Sequence, residues 1–301
     1  MIDKINNTLD RILAVNIYTN VYGLARSLLA IGTLLTLVFN SSDVLFRPNG
    51  VLMTEAFGDT HPLLAYSLFS LLPFEHVIFA RLIGIGILLL VITGWRPRFT
   101  GIFHWWVTVS FSTSSIVVDG GDQIASILCL LLIPVTLADS RKSHWVEHKE
   151  QRNVNLGSQV LHVNALIALF VIKLQVAVVY FHAAVGKTMV TEWVNGTVLY
   201  YWFIDPVFGM TPWLRDLAVG ALASPYVSVF GTWGVIIFEI LLFGALFMTP
   251  KGKKVMFFLG LLFHASIIVV HGLVSFFFSM GAALILYLWP IEKSFGKKKK
   301  K

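Results

Sequence analysis

The amine of Lys187 is the group in this sequence best placed to do chemistry. It closes the run Tyr180-Phe-His-Ala-Ala-Val-Gly-Lys187 at the end of a long apolar segment, and a tryptophan-containing loop follows it. A lysine there either snorkels its ammonium to the lipid headgroups or, partly desolvated, offers an amine of lowered pKa as a base. A carboxylate beside it would hold it protonated and oppose the second role. The carboxylates expected on the same side are Asp119 and Asp122, in the tight turn Asp119-Gly-Gly-Asp-Gln123. They are either acid-base partners or groups that merely solvate the turn. His182 and His264 complete the candidate catalytic set, and Arg81, Tyr180, Glu192, Trp193 and Asp205 are candidate substrate contacts. A histidine at position 182 is more commonly an interior hydrogen-bonded residue than a ligand. His264 and His271 stand about two helical turns apart, too far to bind one metal together, and no metal is expected.

At about 100° per residue, Lys173, Tyr180 and Lys187 fall near one stripe of a helix, interleaved with Ala177 and Ala184. Small residues permit close helix approach, so this stripe is expected to face the bundle interior. A second group, Arg26, Lys173 and Glu239, lies in the opposite half of the apolar segments. It reads as a structural charge network, with Glu239 pairing with Arg26 or Lys173 to neutralise charges that hydrocarbon cannot solvate.

The elements that must position these groups follow from composition. The 301 residues are 56% hydrophobic and 13% charged, and the mean hydropathy is +0.78. That balance excludes an ordinary soluble domain and implies a multi-span membrane protein. The net charge of +7 is dispersed into short loops and the Lys297–Lys301 run, which suits an anionic membrane face better than nucleic acid. Cys129 is the single cysteine, so the chain forms no internal disulfide.

Segments 22–40, 77–95, 98–118, 122–138, 160–187, 226–248, 254–270 and 273–289 read as eight transmembrane helices. Residues 1–21 form an amphipathic N-terminal interfacial helix, with Ile2, Ile5, Leu9, Ile12 and Leu13 at helical spacing over 2–18. Residues 22–290 form the membrane domain and 291–301 a basic tail. Connections 41–76 and 188–225 are expected to fold back over the bundle, with Leu63–Leu72 as a short surface or re-entrant segment. Most of the 23 Lys and Arg residues collect at one set of ends, which makes both termini cytoplasmic and puts Lys187 near the outer surface.

Two short patterns are weak. His144-Trp-Val-Glu-His148 fits an inverted zinc-protease motif, but it lies in a charged loop, 139–158, with too little apolar content to build a core site. Gly84-Ile-Gly86 lies inside a span and lacks the strand-turn-helix setting of a nucleotide site.

The run Tyr180–Gly196 resembles the signature of the HTTM domain, shared by vitamin K-dependent gamma-carboxylases and many bacterial membrane proteins. Supporting matches are Arg26-Ser-Leu-Leu-Ala30, Thr232-Trp-Gly234 with Glu239, and Phe263-His264. Within that group the sequence is similar to the SdpB family, through Arg26–Asn40, Asp119-Gly-Gly-Asp-Gln123, Lys173-Leu-Gln175 and Tyr200-Tyr-Trp-Phe-Ile-Asp-Pro-Val-Phe-Gly209. The resemblance implies an all-α, polytopic, HTTM-like bundle in a bacterial plasma membrane. It also implies an SdpA-like partner protein, with which the chain converts an exported precursor into an active peptide toxin. A quinone or lipid is the cofactor class such a bundle would take. Against the carboxylase pattern, Lys187 stands alone where two lysines are expected, and Gly121-Asp122 replaces an Asn-His pair. A non-catalytic export or chaperone scaffold is the alternative function.

Overall fold

Proline punctuates this chain where its helices begin. Pro97, Pro134, Pro212, Pro225 and Pro250 each occupy the first turn of a helix, where the missing N–H is not needed and the fixed φ is already helical. A computed structural model describes residues 11, 13–46, 66–146, 155–206 and 209–295. Among these the helices are α1 Asn20–Phe39, α2 Ser42–Phe46, α3 Val77–Ile92, α4 Pro97–Ser114, α5 Gly120–Leu131, α6 Ile133–Ala138 and α7 Leu156–Lys187. The short helices α8 Thr191–Val194, α9 Val198–Ile204 and α10 Pro212–Leu222 follow, then α11 Pro225–Gly244, α12 Pro250–His271 and α13 Val274–Leu288. No named strand forms among the described residues; one isolated bridge joins Trp95 to Ser143.

The molecule is an all-α bundle of membrane-type helices. Five of them are long and apolar enough to cross a membrane: α1, α3 with the short turn before it, α7, α11 with the turn after it, and α12. The apolar helices α5 and α13 are shorter. The segment expected as one span over 122–138 is two helices, because Pro134 has no N–H to continue the α5 ladder and starts α6 instead.

Helix α13 is the central post. Every residue from Ser279 to Leu288 is buried, and the helix packs against α1, α5, α7 and α12. It runs antiparallel to α1: Thr19 Oγ1 donates to the Ile291 carbonyl at one end, and Gly32 lies against Ser279 and Ser275 further along. A second apolar cluster joins α1 to α3 and α4 through Leu37, Leu88, Val107 and Phe111.

Residues 67–72, within the segment expected as surface or re-entrant, are turns and bends; Leu68 and Phe69 are buried in the α1–α3–α4 cluster, and Ser67 Oγ donates to the Ser110 carbonyl. Residues 63–65 lie outside the described residues. Near the N-terminus the chain is no longer helical from Val15 to Tyr18, because Ile17 and Tyr18 are drawn into the core between α1 and its neighbours. Residues 1–10 and 12, like the tail from 296 to 301, lie outside the described residues.

Candidate functional site

Helix α7 delivers two polar side chains to the interior on one stripe. Ala177, Tyr180 and Ala184 are buried on that face, as the small-residue spacing implies, and Lys187 ends it. The Lys187 Nζ lies 2.8 Å from both carboxylate oxygens of Glu239 on α11 and donates to the Ala183 carbonyl at 3.2 Å. Its side chain is 21% exposed and that of Glu239 is 8% exposed. Trp193 of α8 covers the ammonium, with its ring centroid 5.1 Å from Nζ, a distance at which the ring quadrupole attracts a cation. The C-terminal end of α7 adds a favourable dipole.

The lid is fastened by Gly196. Its φ of +74° turns the chain after α8 so that its carbonyl accepts hydrogen bonds from Ser228 Oγ and Thr232 Oγ1 of α11. Val229 fills the space where a Cβ would stand. Ala184, Trp193, Val198 and Ile236 form a small apolar cluster beneath this lid. Because α11 begins level with the lid rather than with the end of α7, Glu239 reaches Lys187 from well along its own helix.

About two turns down α7 from Lys187, the Tyr180 hydroxyl and His264 Nε2 of α12 share a hydrogen bond of 2.9 Å. His264 is buried between Tyr180, Phe263 and Phe276, and its Nδ1 has no hydrogen-bond partner among the described residues. The two pairs form a polar seam, a matched ion pair above and a neutral pair below, in an otherwise apolar interface.

The chain is 40% identical over 296 residues to the sporulation-delaying protein SdpB of Bacillus subtilis, covering 97% of this chain and 88% of that protein. The chain belongs to the SdpB family. This family member is also 38% identical over 297 residues to the uncharacterized protein YitO of the same organism, covering 98% of this chain and 93% of YitO. No family model matches the chain, and no solved structure matches it.

The SdpB-family chain gathers some of the residues expected at its site and scatters others. Lys187, Trp193, Tyr180 and His264 line the seam. Asp119 and Asp122 do not pair with Lys187; they cap α5 reciprocally, the Asp122 N–H donating to Asp119 Oδ1 at 3.0 Å and the Asp119 N–H to Asp122 Oδ2 at 3.2 Å. Burial pushes the Asp119 carboxyl up, against the opposing effect of its backbone hydrogen bonds. This turn packs on Phe276 through Gly121, the same ring that flanks His264.

His182 is exposed, correcting its reading as an interior residue: two positions from Tyr180 it lies about 200° round the helix, on the outward face. Glu192 and Asp205 are also exposed. Arg81 donates to Ser42 Oγ and the Val38 carbonyl, each at 3.3 Å, at the end of α1.

The expected charge network is corrected in the same way. Glu239 pairs with Lys187 and not with Arg26 or Lys173. Lys173 is half-buried on α7 and takes no part in that ion pair. Arg26, fully buried, donates from Nη2 to Thr100 Oγ1 at 2.6 Å and lies 3.3 Å through Nη1 from His144 Nδ1.

That contact reveals residues the sequence reading missed. His144 is a plug: it is 0% exposed, its Nε2 lies 3.3 Å from Ser27 Oγ, and Gly23 and Gly94 leave it room. Asp139 and Arg141 beside it form a buried ion pair at 2.7 Å, and Arg141 Nη1 donates to the carbonyls of Tyr18, His144 and Val146. Residues 139–146 are therefore a folded clasp rather than a solvated loop. With both ring nitrogens of His144 engaged in the protein, the zinc-motif reading loses its first ligand; Glu147 and His148 lie outside the described residues. Burial, then the charges of Arg26 and Arg141, push the His144 imidazole down to about 3. The paired glycines at 23 and 94 were the only sequence signal for this socket.

Proposed function

We propose that this chain is the membrane component of a sporulation-delaying-protein-type system, acting with an SdpA-like protein to mature an exported peptide toxin precursor at the outer end of its bundle. Family membership and the printed name of the SdpB relative support the system. The basic ends of the spans support a bacterial plasma-membrane location with both termini cytoplasmic. One observation carries the site: the Lys187 ammonium bound by both Glu239 oxygens beneath Trp193. Charges are expensive in a membrane bundle, and a pair kept under a lid marks the place where polar work is done.

On this reading Lys187 is a cationic anchor. A carboxylate or carbonyl of the precursor exchanges with Glu239 for its N–H groups, while the Tyr180–His264 pair offers a neutral donor and acceptor deeper in the seam. A gamma-carboxylase-like reaction through a free lysine base is not part of the proposal, because Glu239 already engages the amine and the turn that would hold a helper histidine carries Gly121-Asp122. A second reading, a non-catalytic export scaffold, is favoured by the mutual satisfaction of Lys187 and Glu239, which requires no reacting group.

Mass spectrometry of the secreted peptide separates the two, in cells carrying the wild-type chain, no chain, Lys187→Arg, Lys187→Ala or Glu239→Gln. Maturation predicts a peptide whose mass changes when the chain is absent or when Lys187→Ala accumulates normally. Unchanged mass with reduced export selects the scaffold. Full toxin activity from every variant overturns the site.

A further inference from the structure

Between α11 and α12 lies a groove of about 350 Å³ that opens sideways from the bundle. Its walls are Gly234, Phe238, Leu259, Leu262 and Phe263, with Gly231 at one end and Ser266 on the α12 side. We propose that this groove is a binding site for the acyl chain of a membrane phospholipid.

Position is the first argument. Both walls belong to helices long and apolar enough to cross a membrane, and exposed Ile237, Leu241, Val255 and Phe258 continue the same apolar surface on either side. The groove is therefore continuous with the face these helices would turn to lipid. The two glycines shape it differently. A Cβ on Gly231 would strike Leu199 of α9, so that end is closed by the lid, whereas a Cβ on Gly234 would meet nothing within 4 Å. Gly234 thus leaves open a slot that any larger residue would fill.

Chemistry selects the occupant. The one hydroxyl in the lining, Ser266 Oγ, donates to the Phe263 carbonyl at 2.7 Å and has no proton left for a guest. An extended peptide would bring backbone N–H and C=O groups that must be satisfied inside a bilayer, and this lining offers their carbonyls no donor and their N–H groups only the Ser266 hydroxyl oxygen. A hydrocarbon chain needs no partner. The aromatic walls also connect the groove to the polar seam: Phe238 and Phe263 lie 5.2 Å apart by ring centroid, next in sequence to Glu239 and His264. Val235 packs from the groove floor against the apolar cluster beneath the Lys187 lid. An acyl chain in the groove would seal the seam from its lipid side.

The test is photocrosslinking in nanodiscs with a phosphatidylglycerol carrying a diazirine on its acyl chain, mapped by peptide mass spectrometry. Labelling should concentrate on residues 231–238 and 259–266. Gly234→Leu, whose Cβ would meet nothing within 4 Å, should lower that labelling about tenfold, the equivalent of excluding about two methylenes. Ser266→Leu fills the other wall and should act in the same direction, keeping the test open if Gly234→Leu accumulates poorly. Labelling spread evenly over exposed Phe79, Phe103 and Phe170, labelling unchanged in both variants, or a co-purified peptide crosslinked in the groove would each overturn the assignment. The readout needs no toxin activity, so it stands or falls apart from the proposed maturation role.

Discussion

Glu239 holds Lys187 with both carboxylate oxygens at 2.8 Å, so α7 and α11 are joined by an ion pair near the level where the bundle gives way to its lid. Removing one partner strands the other charge beside hydrocarbon, and breaking a buried pair costs about 3–5 kcal/mol. The partial exposure of Lys187 places Glu239→Gln at the low end of that range, about 3 kcal/mol. The double variant Lys187→Met/Glu239→Gln should be more stable than Glu239→Gln alone, because no charge is left unpaired. Denaturant unfolding in detergent measures this cycle; additive losses would show that the pair does not interact.

Gly196 sets the height of the lid. At φ +74°, an L side chain costs about 1–2 kcal/mol, and Val229 adds a clash. Gly196→Ala should loosen the lid without unfolding the bundle core, so proteolysis within 188–224 should quicken while the global unfolding midpoint moves less. Ser228→Ala, which removes one of the two hydroxyls on the Gly196 carbonyl, should produce the same pattern more weakly.

Long apolar runs were legible because hydrocarbon demands them: α1, α7, α11 and α12 begin and end within a few residues of the expected bounds. The inward stripe of α7 was legible from Ala177, Ala184 and the helical period. The partner of Lys187 was not. Equal starting levels for every span would place Glu239 near Arg26, whereas α11 starts beside the lid, which moves Glu239 into register with Lys187. The clasp at 139–146 was hidden for a different reason. Asp139, Arg141 and His144 have the composition of a solvated loop, and only tertiary partners such as Arg26, Ser27 and the Tyr18 carbonyl make their burial affordable.

The clasp should make the fold acid-sensitive. His144 is held neutral, its imidazole pushed down to about 3 from the ordinary 6.5, so the unfolded chain takes up a proton that the folded chain refuses. Its contribution is fully present above pH 6.5 and is lost as pH falls from there towards 3, by up to about 1.4 kcal/mol per pH unit. His144→Gln carries no ionisable ring and should flatten this part of the stability–pH profile, although it starts less stable at pH 7. An unchanged acid limb in the variant would place the acid sensitivity elsewhere.

Tyr180 and His264 should behave as a unit distinct from the ion pair above them. Tyr180→Phe leaves His264 Nε2 without its 2.9 Å partner while Nδ1 is already orphaned, and each buried polar group left unsatisfied costs about 1–3 kcal/mol. His264→Phe strands the Tyr180 hydroxyl in the same way. Replacing both removes the donor and the acceptor together, so Tyr180→Phe/His264→Phe should cost less than the sum of the single changes. The unfolding midpoints of the three variants in one detergent give the coupling. If the double variant unfolds at wild-type conditions yet the secreted peptide loses its activity, the pair serves the precursor rather than the fold. If stability and activity fall together in all three variants, its role is to hold α7 against α12.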